Sequence, residues 1–259
     1  MRETKVNIKQ VAIKKGTVAL EESFTLEANA IIVYSIYLPN FTNIKSDLGS
    51  YLDKAESERA ARFHKERDRD SFLITRSLLK IILASYTKLV VTAIHLDYQV
   101  NKKPYLSSHP WLHFNVSHSE DYAVIAISRE KVGIDIEFKS DDFDHGTISS
   151  DIFENKELTF IKNASNKSNA FYTLWTRKEA LVKALGKGID ENFKYIPCLE
   201  GQYNLESDLV KNSENWQLSS FEITDNYAGA LAYESSSIAA TAITLITMPN
   251  TMEAILKII

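Results

Sequence analysis

The stretch from Tyr122 to Phe138 constrains the fold of this 259-residue chain more than any other. Two β-rich runs, Tyr122 to Ser128 and Val132 to Phe138, flank the short polar link Arg129-Glu-Lys131, and this spacing predicts a hairpin. Within the second run, Gly133-Ile-Asp-Ile-Glu137, a period of two sets Ile134 and Ile136 on one face and Asp135 and Glu137 on the other. Two carboxylates side by side on so apolar a strand mark either a solvated outer face or half of a site.

The surrounding pattern reads as a mixture of helices and mainly antiparallel strands. Residues 1–30 are weakly patterned and read as an N-terminal extension, and Ile31 to Leu38, before Pro39, is the first clear strand. Ser57 to Tyr86 has helical spacing throughout. A short strand near Ile94 to Tyr98, the turn Asn101-Lys-Lys-Pro-Tyr105 and the strand His113 to Val116 follow, the last leading into Ser117-His118-Ser119. Beyond a polar connection (140–151) come a short helix near Glu154 to Lys162 and a longer one from Phe171, closed by Gly186 and Gly188. Trp216 to Ile223, Tyr227 to Tyr233 and Ile238 to Ile246 alternate as strands. Thr75-Arg76 echoes Thr176-Arg177, and Asp121-Tyr-Ala123 echoes Asn226-Tyr-Ala228, a weak sign of a duplicated unit.

Composition narrows the function classes. A net charge of −4 leaves no basic footprint, so a general nucleic-acid binder is not expected. No segment approaches the roughly 20 apolar residues that span a bilayer. The N-terminal residues lack the apolar core of a signal peptide, which predicts a cytoplasmic protein. The single cysteine, Cys198, excludes an internal disulfide and a cysteine-cluster metal site, and reads as a small buried hydrophobe.

In the helix from Phe171, positions 171, 174, 175, 181, 182 and 185 form an apolar stripe whose vacant place, 178, is a lysine. Lys178 either snorkels to solvent or points into a cleft toward an anion. Glu179 and Lys183 have the spacing of a helix-surface ion pair. Taken together, however, Asp135, Glu137, Glu179, Lys178 and Lys183 are the inventory for phosphoryl transfer: carboxylates hold a hard Mg²⁺, and metal and lysines neutralise a pyrophosphate. Ser117 and His118, at a strand end, can donate to phosphate. The other histidines have no zinc-ligand spacing, and there is neither a Walker loop nor a dinucleotide-binding fingerprint.

Lys103-Pro104, Phe114-Asn-Val-Ser-His-Ser119, Val132-Gly-Ile-Asp-Ile-Glu137 and Trp175-Thr-Arg-Lys-Glu-Ala-Leu-Val-Lys183, in this order, closely resemble the motifs of the Sfp-type 4′-phosphopantetheinyl transferases over residues 57–190. The resemblance implies an α+β, pseudo-twofold duplicated fold, each half a small mainly antiparallel sheet packed on helices. Residues 31–130 would form the first half, on the coenzyme A 3′-phosphate and adenine side, and residues 131–259 the second, with the Mg²⁺-binding and catalytic motifs. It also implies transfer of the 4′-phosphopantetheine arm of coenzyme A to a serine of an acyl, peptidyl or aryl carrier protein, with release of 3′,5′-ADP. Such carriers serve fatty acid, polyketide and nonribosomal peptide synthesis. An inactive coenzyme A or carrier-protein binding module is the alternative.

By the same resemblance Asp135, Glu137 and Glu179 match the metal carboxylates, and Lys178 and Lys183 the pyrophosphate-binding lysines. Ser117 and His118 match phosphate contacts, Lys103 and Pro104 line the adenine pocket, and Glu157 matches a glutamate near the nucleophile. Either Glu157 or Glu179 could take the serine proton. Two lysines that bind the 3′-phosphate in some members correspond here to Glu56 and Arg59, which makes Arg69 and Arg76 the candidates for that contact. The length of the chain implies a monomer, because short members of the family trimerise to build the same cleft.

Overall fold

A computed structural model of the chain describes residues 4–10, 13–16, 25–140, 150–205, 215–235 and 242–258. Most of the 140–151 connection, the start of the Ile238 strand and much of residues 1–30 lie outside this set. In the first half of the chain the described elements are β1 (Thr4–Ile8), β2 (Lys14–Gly16), β3 (Ala30–Tyr37), α1 (Lys45–Gly49), α2 (Lys54–Ala61), α3 (Glu66–Thr87), β4 (Asp97–Tyr98), β5 (Pro104–Tyr105), β6 (His113–Ser119) and β7 (Tyr122–Ser128). After these come β8 (Val132–Phe138), α4 (Asn155–Asn163), α5 (Lys167–Leu185), β9 (Gly201–Leu205), β10 (Asn215–Glu222), β11 (Tyr227–Glu234), β12 (Ala242–Thr247) and α6 (Met252–Leu256).

The fold is α+β, with two five-stranded sheets built on one plan. β3, β7 and β6 lie in that order, antiparallel, with α3 packed on one face; β8, β11 and β10 repeat the arrangement with α5. Thr75-Arg76 and Thr176-Arg177 occupy equivalent places on the two long helices. The paired strand ends Tyr37–Tyr122 and Phe138–Tyr227 are likewise equivalent, and their four rings join into one cluster.

Each sheet buries one face against its helix and the other against its partner sheet. Ile31, Val33, Val124, Ala126, Ile134, Ile136 and Leu231 meet in the core between the sheets, while Tyr34, Ile36, Ile125 and Ile127 meet α3. Two covered faces account for the nearly continuous apolar runs. They also answer for β8: its isoleucines enter the inter-sheet core, and Gly133, Asp135 and Glu137 turn toward α5.

Several elements differ from the sequence reading. β7 and β8 do not form a hairpin, because β3 and β6 occupy both edges of β7 and the 129–131 link carries the chain into the other sheet. The helix expected over 57–86 is two helices; α2 starts earlier, at a capping box of Asp53 and Glu56, and the break falls at residues 62–65. Two segments also cross the expected divisions at 30/31 and 130/131. β1 lies between β10 and β9 in the second sheet, burying Val6 and Ile8, and β12 runs parallel to β3 in the first. No helix among the described residues is long and apolar enough to cross a membrane.

Candidate active site

The site forms where α5 lies against β8. Gly133 permits the approach: a Cβ there would stand 2.1 Å from the Ala180 carbonyl oxygen and 2.3 Å from the Ala184 nitrogen. With the backbones this close, Glu179 and Lys183, one turn apart on α5, come up to Asp135 and Glu137. Lys183 Nζ donates to Asp135 Oδ1 at 2.6 Å and to Ser117 Oγ at 3.0 Å. Ser117 in turn donates to Asp135 Oδ1 at 2.8 Å, and Ser119 to Glu137 Oε2 at 2.8 Å.

Negative charge in the cluster is undercompensated. Burial, and then the Asp135 charge, push Glu179 up to about 7 despite Lys183 nearby. Glu137 is raised for the same two reasons, while hydrogen bonds from Ser119 and Trp175 and the Lys183 charge oppose the shift. Asp135 Oδ2 is buried with no hydrogen-bond partner. Partial desolvation and the Lys183 charge lower the pKa of His118, on the adjoining strand β6, which favours the neutral imidazole at neutral pH.

No three or more His, Cys, Asp or Glu side chains among the described residues converge closely enough to enclose an ion unaided. The donor set nonetheless fits a hard divalent cation: three carboxylates, one buried oxygen lacking a partner, and two acids whose ionisation is resisted by burial and by the Asp135 charge.

Beyond His118 a cavity of about 180 Å³ is lined by Arg59, Phe72, Arg76, Tyr98, Lys102 and Pro104, among others. Arg76 lies over the Phe72 and Tyr98 rings and is held by Glu56 at 3.6 Å; its Nη1 is buried without a hydrogen-bond partner. Glu56 is also paired to Lys80 at 3.0 Å. This pocket offers cations beside aromatic and proline surfaces, suited to a phosphate next to a flat ring.

Residues 131–232 match the 4′-phosphopantetheinyl transferase superfamily, and residues 41–130 match the N-terminal region of 4′-phosphopantetheinyl transferase. The 4′-phosphopantetheinyl transferase HetI of Nostoc is 30% identical over 173 residues, covering 64% of this chain and 73% of the relative. The chain belongs to the 4′-phosphopantetheinyl transferase family. It is also 25% identical over 206 residues to the Sfp transferase of Bacillus subtilis, covering 77% of this chain and 90% of that one. The L-aminoadipate-semialdehyde dehydrogenase-phosphopantetheinyl transferase of Xenopus laevis is 31% identical over 156 residues, 54% of this chain and 51% of the relative.

The residues named from the phosphopantetheinyl transferase motifs separate into two groups. Asp135, Glu137, Glu179, Lys183, Ser117 and His118 come together at the cleft, and Pro104 and Arg76 line the adjoining cavity. Lys178 and Glu157 lie apart from them. Both are 0% exposed; Lys178 Nζ reaches Glu157 Oε2 at 2.9 Å and donates to the carbonyls of Lys194 at 2.8 Å and Ile196 at 2.5 Å. Phe153 and Phe193 lie against the ammonium, so it neither snorkels to solvent nor points into the cleft; its anionic partner is the buried Glu157 carboxylate. Glu157 Oε2 also accepts from Glu154 N, completing the capping box of α4. The pair ties α4 to α5.

Lys103 is turned inward as well. Its amine donates to the carbonyls of Val132, Lys183 and Ala184, capping the end of α5, and burial followed by the Lys131 charge lowers it to about 8. Arg69 is a surface residue near Glu66 and Asp70 and does not line the cavity. Asn115, Ser119 and Trp175 contact the β8 site but were not singled out from the sequence. The alternation Asn115-x-Ser117-x-Ser119 was the available signal, because polar side chains at a period of two on a buried strand need partners.

Proposed function

We propose that this chain transfers the 4′-phosphopantetheine arm of coenzyme A to a serine of an acyl, peptidyl or aryl carrier protein, giving holo-carrier and 3′,5′-ADP. The observation that carries the proposal is the convergence of Asp135, Glu137, Glu179 and Lys183 beside His118, next to a cavity containing Arg76. Arg76, with Arg59 and Lys102, receives the 3′-phosphate, and Pro104 and Tyr98 the adenine. His118 and Lys183 face the pyrophosphate. Asp135, Glu137 and Glu179 would hold Mg²⁺, which when bound supplies positive charge to the pyrophosphate.

The carrier serine oxygen forms a bond to the β-phosphorus while the bond from that phosphorus to the bridging oxygen breaks, leaving 3′,5′-ADP. Of the two carboxylates that could take the serine proton, Glu157 is sealed between α4 and α5 against Lys178, which leaves Glu179 as the acceptor. Lys183 balances the charge that develops on the leaving group. Lys178 and Glu157 serve the reaction by fixing α5, and with it Glu179. Both walls of the cleft come from one chain, which supports a monomer; we place the protein in the cytoplasm.

The test is to incubate the protein with coenzyme A, Mg²⁺ and a panel of apo carrier proteins, and to weigh the carriers. A gain of the phosphopantetheine mass is expected. No gain across carrier classes alongside an active control enzyme would refute the proposal, and release of 3′,5′-ADP without a carrier would indicate a hydrolase.

A further inference from the structure

The two sheets meet edge to edge without a main-chain ladder. β6 ends one sheet and β8 the other, and three β6 side chains take the β8 N–H groups. Asn115 Oδ1 accepts from Ile134 N at 2.8 Å, Ser117 Oγ from Ile136 N at 3.4 Å, and Ser119 Oγ from Phe138 N at 3.1 Å. A hydroxyl that accepts in this way still has one proton to donate. Both serines donate it to the carboxylate one residue before the N–H they accept: Ser117 to Asp135 and Ser119 to Glu137, each at 2.8 Å.

The first rung has no carboxylate, because position 133 must be glycine where α5 touches β8. The seam between the sheets is therefore also a bracket for two acids, and the two brackets differ. Asp135 has a second fixed partner in Lys183, and Ser117 is buried. Glu137, a longer side chain, takes its hydrogen bonds among the described residues from Ser119 and Trp175.

We infer that Ser119 is a positioning residue: held by the Phe138 N–H, its hydroxyl fixes the Glu137 carboxylate in the direction from which it binds a divalent cation. The inference rests on the reading of Asp135, Glu137 and Glu179 as cation ligands. Hydrogen-bond partners of metal-binding carboxylates typically change metal affinity about 10- to 100-fold when removed.

The test compares the full chain with its Ser119→Ala and Ser119→Thr variants. Mn²⁺ binding in the presence of coenzyme A is followed by calorimetry, and carrier modification is followed against Mg²⁺ concentration. Ser119→Ala is expected to weaken Mn²⁺ binding about tenfold and to raise the half-saturating Mg²⁺ by a similar factor. The KM for coenzyme A should change less than twofold, and Ser119→Thr, which retains the hydroxyl, should recover most of the loss.

Mn²⁺ affinity of Ser119→Ala within twofold of the unmodified chain overturns the inference, even if melting falls, because the hydroxyl then serves the seam alone. A loss that threonine does not recover overturns it as well. If the unmodified chain modifies carriers but Asp135→Ala binds Mn²⁺ as tightly as it does, the cation-site reading has failed and the role of Ser119 fails with it.

Discussion

Replacing Glu157 with alanine leaves the Lys178 ammonium sealed beneath Phe153 and Phe193, with two carbonyls and no countercharge. Removing one member of a buried ion pair costs about 3–5 kcal/mol, because the remaining charge is desolvated and uncompensated. For a chain of this size each kcal/mol corresponds to about 2–4 °C, so the melting temperature should fall by about 6–20 °C. Lys178→Met keeps the apolar stem and strands the Glu157 carboxylate instead, with a fall of similar size. Joining Lys178→Met to Glu157→Leu removes both charges and should recover more than half of the loss. Thermal melting by circular dichroism measures all three, and carrier modification assayed well below each midpoint should remain within about tenfold of the unmodified rate. Single variants that melt within 2 °C of the parent yet lose transfer by a hundredfold or more would refute the reasoning. They would restore Lys178 and Glu157 to the cleft, where the motif resemblance alone puts them.

Gly133→Ala pushes a methyl group into two α5 backbone atoms, neither of which can yield independently, and should cost about 3 kcal/mol or more in a denaturant melt; a change below 1 kcal/mol would mean that α5 does not lie as described. Arg76→Ala should raise the KM for coenzyme A by about 10- to 100-fold, the value of a charged hydrogen bond, whereas Arg69→Ala should leave it within about twofold; equal effects would undo the distinction drawn from the cavity lining. Between about pH 8 and 10.5 the unfolded chain retains a proton on Lys103 that the folded chain has released. This group therefore makes stability rise with pH across that window, by at most about 1.4 kcal/mol per pH unit. Urea titrations at several pH values should show a shallower rise in Lys103→Met, and identical slopes would contradict the lowered pKa.

What could be read from the sequence was local. The α5 stripe, its closure at Gly186 and the alternation in β8 depend on spacing within a few residues, and each recurs in the structure. Pairings were not legible. A link of three residues between two strands predicts a hairpin only if neither strand has a better partner, and β7 has two. Asp53-Lys-Ala-Glu56 is a visible capping box that would have set the start of α2. β1 offers only Val6 and Ile8 in a polar setting, too little pattern to show that it lies inside a sheet.

Lys178 illustrates the limit for the site. A lysine in an apolar stripe signals an unusual environment, but whether its partner is a ligand or a buried glutamate is decided by α4, folded against it from 21 positions away in sequence. Lys80 poses the same question on α3 and receives the same answer, with Glu56 on α2 as its partner. Glu56 and Glu157 hold equivalent places, each the third residue of its helix, yet their lysines sit at different turns of α3 and α5.

The interwoven ends of the chain bear on how the molecule assembles. β3 is completed by β12, pairing Ala30 with Ala242, and β10 is flanked by β1, pairing Trp216 with Val6. Neither half can finish its sheet from contiguous sequence, so on the ribosome the flank of β3 stays open until nearly all of the described chain has been made. Contacts this distant slow folding and leave strand edges exposed to other nascent chains in the meantime. Such a protein should depend on chaperones early in its life, and N-terminal trimming past Ile8 should impair its refolding yield before it impairs the chemistry of any molecules that do fold.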